Sequence, residues 1–586
     1  MSKYLYAFSA DPITKGHRNV IERILHAHPN DELIIGIGVN PDKKYLFTLA
    51  ERKAMAKEYL SDLNVQVISF KGMLTDYAIE NNINVIYRGV RDAIDIGNEL
   101  NLFYTLRMQT AKIEVHFIPA HEEMTTISSS AVKAIVKEYG DVSKFVSTQV
   151  KAALEAKILG QYVLCITGEI CSGKTYMLNR IQHITASRGI ATHHLDLDIL
   201  GHQILEELTE DLYVNTRSEI ATVFGNEVIN SDGFINRSIL GEIVFSEPSF
   251  METLNDIMKE AMLIRIARER ARFGEGLILV DGALIVEFNW ESKFNGNVWL
   301  LDTDSSIRIS RLKHRNLTDI QITDRENCQF ITADKISYLK ERKCKFTYFK
   351  NPHIMSFEVL FKHVNELIQT LDIYGELRFK GLWKRIKCDG EANNAYKNLM
   401  NKYSESHRYY HTISHITNGL NEIWNRAIDD EKYNLDKVEF AWWYHDSIYD
   451  KQSRVNEIRS AIYAKSVCEK CLLEDSFISA IYELIIDTAH NRIPNTYDGK
   501  FICDIDLLIF TADKNIFNEY ENNIRKEYSW VDNNAYLIAR KNILNKFYNK
   551  FGQTTSAYYT LNESYDFKAA RNLVYMLEQL DYLYSE

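Results

Sequence analysis

Residues 168–175 have the residue types and spacing of a loop that holds nucleotide phosphates. The stretch reads Gly-Glu-Ile-Cys-Ser-Gly-Lys-Thr and directly follows the apolar run 162–167. Glycines let backbone N–H groups approach phosphate oxygens, Lys174 can pair with the β and γ phosphates, and Thr175 can ligate Mg²⁺. The sequence therefore predicts an ATP site rather than a chance glycine-rich turn. Its residues are Gly168, Ser172, Gly173, Lys174 and Thr175.

Two carboxylates follow the phosphate loop at the end of an extended stretch, Asp196 and Asp198. A carboxylate in that place can accept a hydroxyl proton during phosphoryl transfer, or it can help to hold Mg²⁺. A helix cap is the structural alternative. The loop alone predicts only that a nucleoside triphosphate binds, and the carboxylate adds phosphoryl transfer as a hypothesis.

Near the N-terminus, polar residues stand where predicted strands run into helices. His17 follows a strand-like run and precedes a helix that we expect from about Arg18. A histidine near a helix N-terminus can stabilise charge on a phosphorus centre. Arg88 and Arg91 follow another buried strand, at the edge where open α/β sheets bind ligands. The serines at 128–130 offer hydroxyl and N–H groups at a further helix start. Taken singly, these features are equally explained by an incidental histidine, surface charge and a helix cap.

The C-terminal part of the chain carries several short elements rich in imidazole and carboxylate groups. His411 and His415 stand four residues apart, which predicts that they share one helix face. Such ligands suit Mn, Fe, Zn or Mg. A packed polar patch explains a lone histidine pair but not a whole series, so we predict a metal site. The candidate residues are His411, His415, His445, Asp446, His490, Asp504 and Asp506.

The pattern of apolar residues restarts once and later becomes mainly helical, which predicts three domains. Residues 1–158 and 159–373 alternate β-rich runs with helical stretches, which is typical of α/β folds with a parallel sheet. Residues 374–586 have mainly helical periodicity and predict an all-α domain. No internal repeat of solenoid length is visible.

Composition limits the class of protein. The chain has 586 residues and a net charge of −11, with 46% hydrophobic and 25% charged residues, as in globular multidomain proteins. The acidic balance argues against nucleic-acid coating, no apolar run is long enough to span a membrane, and no signal peptide is visible. Eight scattered cysteines predict no disulfide framework and a cytoplasmic location. We expect Cys468 and Cys471 to be two small side chains on a helix rather than a zinc or redox pair.

Taken together and in order, the N-terminal residues resemble the phosphopantetheine adenylyltransferases over residues 3–157. The resemblance implies a Rossmann-like nucleotidyltransferase that moves AMP from Mg-ATP to 4′-phosphopantetheine, in line and without a covalent intermediate. Bacterial enzymes of this kind are often hexamers, which implies that this chain can form a homo-oligomer. The motifs are Thr14-Lys15-Gly16-His17, Asn40-Pro41-Asp42-Lys43-Lys44, Tyr87-Arg88-Gly89-Val90-Arg91, Glu99, the serines at 128–130 with Lys133, and Gly140-Asp141-Val142.

The same resemblance assigns roles to residues. It makes His17, Lys43 and Arg91 catalytic, with Ser9, Leu74 and Arg88 around the pantetheine substrate. Phe8 stands where the family usually has Gly, and Ala10 where it has an aromatic residue. A ring at position 8 can crowd the phosphate loop, and Ala10 can make room for it. The implied ATP site comprises Ser9, Ala10, His17, Gly89, Val90, Arg91, Glu99, Met124, Ile127, Ser128, Ser129 and Ser130.

The central part resembles the dephospho-CoA kinases over about 160–370. Its residues are most similar to those of the kinase half of CoA synthases. This implies a P-loop kinase that phosphorylates the ribose 3′-hydroxyl of dephospho-CoA with ATP to give CoA. Lys174 would clamp the phosphates, Thr175 the metal, and Asp196 would act as base. Arg311 and Arg315 resemble lid arginines, although the lid beyond them departs from the family. The resemblance rests on 196–203, 232–245, 281–287 and 351–354.

The C-terminal part resembles the HD superfamily of metal-dependent phosphohydrolases over about 377–583. By that analogy His415, His445, Asp446 and one of Asp504 or Asp506 bind a divalent metal. His411 would be the general acid for the leaving group, and His490 would help to hold a second metal. A nucleotide, a CoA-related phosphoester and a cyclic nucleotide all remain open as substrates.

Three hypotheses follow. The first is a multifunctional enzyme for the last two steps of CoA biosynthesis, fused to an HD phosphohydrolase. The second is that one or more domains have lost catalysis, with the HD domain a nucleotide-binding regulatory module. The third keeps both nucleotide enzymes but gives them other pantetheine or nucleoside substrates.

Overall fold

The computed structural model describes residues 2–40, 43–91, 93–109, 113–124, 127–426, 433–551, 558–561 and 563–585. The chain divides into two compact units. The first comprises Met1–Arg180 and Thr192–Ile354, and the second comprises Ile181–Ala191 and Met355–Glu586. The bounds of the three predicted domains stay a prediction. The helix Phe357–Leu371, which that prediction assigns to the second domain, lies in the second unit.

The first unit begins with a five-stranded parallel sheet in the order β3-β2-β1-β4-β5. Its strands are β1 Lys3–Phe8, β2 Glu32–Ile37, β3 Gln66–Ser69, β4 Val85–Val90 and β5 Glu114–Pro119. Its helices are α1 Lys15–Ala27, α2 Leu49–Tyr59, α3 Leu74–Glu80, α4 Ala93–Gln109, α5 Ser129–Lys137 and α6 Thr148–Leu159, with a short 3₁₀ turn at Glu122–Met124.

A second five-stranded parallel sheet, in the order β10-β9-β6-β8-β7, completes this unit. All residues of the central strand β6 are buried, as expected where helices cover both faces of a parallel sheet. The strands are β6 Gln161–Gly168, β7 Thr192–Asp196, β8 Gly276–Asp281, β9 Asn297–Asp302 and β10 Lys345–Lys350. The helices are α7 Lys174–Ser187, α8 Leu197–Glu206, α9 Asp211–Phe224, α10 Arg237–Val244, α11 Pro248–Phe273, α12 Ser305–Lys313, α13 Asp319–Asn327 and α14 Thr332–Glu341; 3₁₀ turns lie at Asn226–Val228, Glu291–Phe294 and Pro352–Ile354.

A buried polar network connects helix α6, which follows the first sheet, to residues that pack around the second sheet. The Lys151 Nζ lies 2.6 Å from Glu155 Oε1, and Arg270 Nη1 lies 3.0 Å from the same oxygen. Asn295 accepts from Lys151 and donates to Glu155. All four residues are at most 5% exposed. Buried charges are tolerated only when they are paired. This network therefore holds α6 against helix α11, which carries Arg270, and against the turn before Asn295.

Among the described residues of the second unit, every regular element is a helix, and these elements include the end of α7 from Ile181. Its helices are α15 Phe357–Leu371, α16 Glu376–Arg385, α17 Ala392–Tyr403, α18 Ile413–Arg426, α19 Leu435–Tyr444, α20 Asn456–Lys470, α21 Asp475–Asp487, α22 Tyr497–Asp506, α23 Lys514–Glu527, α24 Asn533–Phe551 and α25 Glu563–Ser585; 3₁₀ turns lie at Asp389–Glu391 and Leu507–Thr511.

Helices α18 and α19 approach one another unusually closely. A Cβ placed on Gly419 would come 2.0 Å from the Trp442 ring, so only glycine fits there. The Trp442 Nε1 also donates to the Ile416 carbonyl at 2.8 Å. This contact brings His415, on α18, next to His445, which ends α19.

One cysteine expectation is corrected. Cys471 forms a disulfide with Cys388, whose Cα lies 5.6 Å away, while Cys468 is buried and free. The tertiary fold places the turn after α16 beside the end of α20, and the cysteine spacing does not reveal that proximity.

The predicted fold class is confirmed at the level of two parallel α/β sheets followed by a helical region. The HD fold itself stays a prediction. Within the described ranges, no helix is both long enough and apolar enough to cross a membrane.

Candidate active sites

His17 lies in the first turn of α1, which begins at Lys15 rather than at about Arg18 as predicted. The helix starts earlier because Thr14 caps it: its hydroxyl accepts from the His17 backbone N–H at 3.5 Å. The Thr14 backbone N–H donates to His17 Nδ1 at 3.0 Å. Since Nδ1 is an acceptor, the neutral ring carries its proton on Nε2. His17 is thus arranged as a hydrogen-bond donor through Nε2.

The environment of His17 keeps the ring neutral. Burial and the nearby Arg91 charge lower its pKa from 6.5 to about 4. The Phe8 ring stacks on the imidazole with a centroid distance of 4.4 Å. Phe8 therefore lies against the predicted catalytic group. The sequence predicts that a ring at this position crowds the phosphate loop.

The two predicted arginines are each held by a carboxylate. Arg88 forms a two-point ion pair with Glu99, its Nη2 lying 2.6 Å from Oε1, and it donates to the Ala7 carbonyl. Arg91 pairs with Asp95 one helical turn further on. An anionic substrate would therefore compete with Glu99 for Arg88.

The remaining N-terminal candidates lie around the ends of the same strands and helices. Ser128 caps α5 through the Ala131 N–H, and Ser129 donates to the Pro12 carbonyl at 2.8 Å. Leu74 begins α3 and packs against the core instead of facing open solvent. The other placements are Ser9 near the Tyr45 hydroxyl, buried Ala10, Val90 and Ile127, Gly89 beside Tyr6, Met124 against the core, and exposed Lys43 and Ser130.

Part of the N-terminal resemblance lies outside the described residues, namely Pro41 and Asp42 of the lysine-bearing motif and Thr125 and Thr126 of the 124–130 segment.

A cavity of about 1740 Å³ opens over the phosphate loop. Lys174 Nζ lies 3.3 Å from the Gly168 carbonyl, folded back on its own loop. Asp196 lines the cavity and also caps α8 through the Ile199 N–H at 3.0 Å. The helix cap is therefore present, and the role of Asp196 as a base stays a prediction. Burial, together with Asp196 and Asp281, raises the pKa of Asp198 against the lowering effect of Lys174. Four further residues of the predicted ATP site also line the cavity, namely Gly173, Thr175, Arg311 and Arg315.

Helices α12 and α14 are held to the phosphate loop through Glu169, a residue that the sequence analysis missed. Arg308 Nη2 lies 2.6 Å from Glu169 Oε2, and the Thr332 hydroxyl donates to Oε1 at 2.9 Å. Arg311 donates to the Cys171 carbonyl of the same loop at 2.9 Å. The loop pattern does not require a glutamate at this position, so spacing alone gives no signal for it.

Four of the predicted metal ligands converge in the second unit. The Nε2 atoms of His415 and His445 are 3.3 Å apart. Asp446 Oδ2 lies 3.2 Å from His445 Nε2, and Asp506 Oδ1 lies 3.5 Å from His415 Nε2. His490 reaches the other Asp506 oxygen at 2.9 Å. Two imidazoles and two carboxylates at these distances form a donor set suited to a divalent metal.

The charges of this cluster favour a cation. Burial alone would lower the pKa of His445, but Asp446 and Asp506 raise it to about 9. The facing histidines hold the pKa of Asp446 well below its usual range despite burial. A metal ion would replace the proton that the His445 imidazole otherwise carries.

Asp504 is not brought into the cluster. Its carboxylate accepts from the backbone N–H groups of Tyr559 at 2.9 Å and Thr560 at 2.6 Å. Successive helical residues point about 100° apart, but two residues apart they face nearly opposite sides, so Asp504 and Asp506 cannot both reach one ion. Of the two alternatives, the geometry favours Asp506.

The expectation that His411 and His415 share a helix face is wrong, because α18 begins only at Ile413. Glu527, on α23, holds the segment that precedes α18. One of its carboxylate oxygens accepts from the N–H groups of Tyr409, Tyr410 and His411. Its other oxygen accepts from His411 Nδ1 at 2.7 Å. This leaves His411 Nε2 as the outward nitrogen.

Glu527 and Tyr449 are functional candidates that sequence reasoning missed. Glu527 is fully buried, and the Tyr449 hydroxyl donates to it at 2.9 Å. Burial raises the pKa of Glu527, but His411 and the backbone donors hold it at about 2. The His411 pKa is raised in spite of burial, by Asp446 and Glu527. Glu527 lies far from His411 in sequence, and no local pattern links them.

Comparison with known proteins agrees with this order of sites. The dephospho-CoA kinase family model matches residues 162–340, and the cytidylyltransferase-like model matches residues 6–135. A solved structure of TT1252 from Thermus thermophilus covers 36% of this chain and 98% of its own at 23% identity, with a TM-score of 0.28, which is too low to support an argument about fold.

Curated relatives match the N-terminal segment. The phosphopantetheine adenylyltransferase of Petrotoga mobilis is 41% identical over 155 residues, which is 26% of this chain and 94% of the relative. The enzyme of that name from Mannheimia succiniciproducens is 40% identical over 154 residues, 26% of this chain and 96% of its own length. Through this N-terminal segment, the chain belongs to the phosphopantetheine adenylyltransferase family.

Proposed function

We propose that this chain converts 4′-phosphopantetheine to CoA in two ATP-dependent steps and carries a metal-dependent phosphohydrolase at its C-terminus. The observation that carries the first step is the Thr14–His17 arrangement, which leaves a neutral imidazole with its donor nitrogen outward. The second step is supported by the phosphate loop and Asp196 in one cavity, within a segment that matches the dephospho-CoA kinase family model.

In the proposed first step, a phosphate oxygen of 4′-phosphopantetheine attacks the α-phosphorus of ATP. The bond from that phosphorus to the β-phosphate oxygen breaks, and pyrophosphate leaves. His17 Nε2–H donates to the α-phosphate oxygens as their charge grows, and Arg91 adds positive charge nearby. Lys43 and Arg88 hold the attacking phosphate. Positioning and charge stabilisation suffice here, since no covalent enzyme intermediate forms.

In the proposed second step, the 3′-hydroxyl of dephospho-CoA attacks the γ-phosphorus of ATP. Asp196 accepts the hydroxyl proton, and ADP leaves. Lys174 swings from its own loop to the β and γ phosphates, and Arg311 and Arg315 close over them. Thr175 and the cavity carboxylates offer oxygen ligands for the Mg²⁺ that accompanies ATP, which neutralises phosphate charge when bound.

For the C-terminal site, His415, His445, Asp446 and Asp506 would hold a divalent metal, with His490 steadying Asp506. A bound metal supplies an acidic water for attack on a phosphoester. His411 Nε2 gives its proton to the leaving oxygen, while Glu527 fixes the ring through Nδ1. The substrate class remains the phosphoester, with a nucleotide, a CoA-related phosphoester and a cyclic nucleotide as the candidates.

The first two steps are tested by supplying the purified full chain with 4′-phosphopantetheine, ATP and Mg²⁺ and following products by mass. Dephospho-CoA should form first and CoA afterwards. If neither product forms, the adenylyl-transfer assignment is wrong; if dephospho-CoA supplied directly with ATP and Mg²⁺ also gives no CoA, the kinase assignment is wrong as well. If AMP is transferred only when another pantetheine compound replaces 4′-phosphopantetheine in the assay, only the substrate assignment fails.

A further inference from the structure

Arg408 is a buried arginine of the second unit that the proposed mechanism does not use. Its side chain is fully buried, in the segment that precedes α18 and three residues before His411. Its Nε lies 3.0 Å from Glu405 Oε2, but the Glu405 side chain is itself 41% exposed. A buried charge is tolerated only where hydrogen bonds satisfy its remaining donors, so the partners of the other guanidinium nitrogens indicate what Arg408 holds in place.

The other guanidinium nitrogens donate to backbone carbonyls of two separate segments. Nη1 donates to the carbonyl of His411 at 3.1 Å and to that of Asp446 at 2.8 Å. Nη2 donates to the Ser447 carbonyl at 3.3 Å. His411 lies before the first residue of α18, and Asp446 lies beyond the end of α19. One guanidinium therefore joins the backbone of the proposed general acid to the backbone of a proposed metal ligand.

Two aromatic rings hold the guanidinium between these segments. Its Cζ lies 5.3 Å from the ring centroid of Tyr403 and 5.3 Å from that of Tyr449. The Tyr403 hydroxyl donates to the Trp443 carbonyl near the end of α19. The Tyr449 ring stacks on the His411 imidazole, with their centroids 4.4 Å apart. A planar guanidinium can stack and donate in several directions at once, whereas an ammonium is a point charge, so lysine does not replace arginine here.

We propose that Arg408 is a positioning residue that sets the place of the His411 imidazole relative to the metal ligands. This role rests on the proposed phosphohydrolase function, in which His411 is the general acid. Glu527 fixes the rotation of the ring through Nδ1, whereas Arg408 fixes the His411 backbone against that of Asp446. Two of the metal ligands stand inside α18 and α22. Replacing Arg408 should therefore displace the general acid more than it displaces the metal.

Arg408→Lys tests the proposal in the full chain loaded with Mn²⁺, with phenyl phosphate and p-nitrophenyl phosphate as probes. Lysine keeps the charge but cannot bridge the carbonyls of His411 and Asp446 in the same way. Because a displacement of about 1 Å can cost about 10²-fold in rate, kcat for phenyl phosphate should fall by about 10²-fold, with KM and Mn²⁺ content unchanged. For p-nitrophenyl phosphate, kcat should fall by less than about 10-fold, since its leaving oxygen needs little proton donation. Arg459→Lys, at an exposed arginine of α20, is the control and should change neither rate.

Unchanged rates, an equal loss for both esters, or loss of bound Mn²⁺ from folded Arg408→Lys would overturn the proposal, because a general structural role affects both esters and the ligands alike. If Arg408→Lys does not fold, Glu405→Ala decides by the same comparison, since Glu405 is partly exposed and its removal loosens the Nε end of Arg408. A loss selective for phenyl phosphate in that variant supports the role of Arg408, and an equal loss or none overturns it. If the unmodified protein hydrolyses neither ester, the phosphohydrolase assignment itself fails, and the role of Arg408 falls with it.

Discussion

The ring of Phe8 lies parallel to the imidazole of His17, with their centroids 4.4 Å apart and their planes 12° from one another. The stack covers one face of the group that we assign to charge stabilisation. Thr14 fixes the same ring at Nδ1. An aromatic residue at position 8 thus excludes water from His17 and helps to keep it neutral.

We therefore predict that Phe8→Gly moves the acid limb of adenylyl transfer to higher pH. His17 acts in its neutral form, and its folded pKa of about 4 is depressed first by burial. Opening the stack rehydrates the ring and raises that pKa by about one unit, a typical environmental shift. The measurement is the pH profile of kcat/KM. Phe8→Tyr keeps the stack and should keep the limb in place, and an unmoved limb in Phe8→Gly would contradict the role of Phe8.

Glu155 should be essential to the stability of the first unit. Glu155→Ala leaves Lys151 and Arg270 buried without a counter-charge, and breaking such a pair lowers the free energy of unfolding by about 3–5 kcal/mol. Hydrogen exchange of α6 measures the loss locally. Glu22→Gln, which removes an exposed partner of Arg18, is the control and should cost under about 1 kcal/mol.

The same network predicts a direction for acid unfolding. Burial would raise the pKa of Glu155, but Arg270 and Lys151 hold it at about 2, below the ordinary 4.5. A folded pKa below the unfolded one means that the stabilisation is fully present above about pH 4.5 and is lost as the pH falls towards 2. Equal loss of α6 protection in Glu155→Ala and Glu22→Gln would rule out this network as the main tie.

Glu527→Gln should slow phosphoester hydrolysis by about 10²–10³-fold without removing the metal, because it loosens the orientation of the general acid His411. The loss should be larger for phenyl phosphate esters than for p-nitrophenyl esters, since the poorer leaving group depends more on proton donation. Glu519→Gln, exposed on the same helix, is the control. An equal loss for both leaving groups would indicate a structural role instead.

Metal content distinguishes Asp506 from Asp504. His445→Ala and Asp506→Asn should each lose the bound metal of the second unit, since both side chains face the cluster. Asp504→Asn should retain the metal, because the Asp504 carboxylate accepts hydrogen bonds from the backbone N–H groups of Tyr559 and Thr560 instead. Elemental analysis after Mn²⁺ loading measures this. Retention of full metal in Asp506→Asn would remove Asp506 from the proposed ligand set.

The features that could be predicted from sequence are those set by local pattern. The loop around Lys174, the strand before it and the carboxylate Asp196 after it follow from short-range spacing and apolar runs. The same holds for the alternation of strands and helices in the first unit and for the helical C-terminal part.

The features that could not be predicted depend on contacts between distant residues. Glu527 reaches His411 only through the fold, and the choice between Asp504 and Asp506 depends on how α22 is rotated. The start of α1 at Lys15 depends on the hydrogen bonds between Thr14 and His17, and the Cys388–Cys471 pairing on the approach of two helix ends.

A crossed assay on the full chain tests the two-step account most directly. His17→Asn and Lys174→Ala are each given 4′-phosphopantetheine with ATP and Mg²⁺, and separately dephospho-CoA with ATP and Mg²⁺, and products are followed by mass. His26→Ala, an exposed histidine on the same helix α1, is the control and should match the unmodified protein in both reactions. The account predicts that His17→Asn makes CoA only from supplied dephospho-CoA, while Lys174→Ala accumulates dephospho-CoA and makes no CoA. CoA formed by Lys174→Ala, or dephospho-CoA formed at an undiminished rate by His17→Asn, would contradict it.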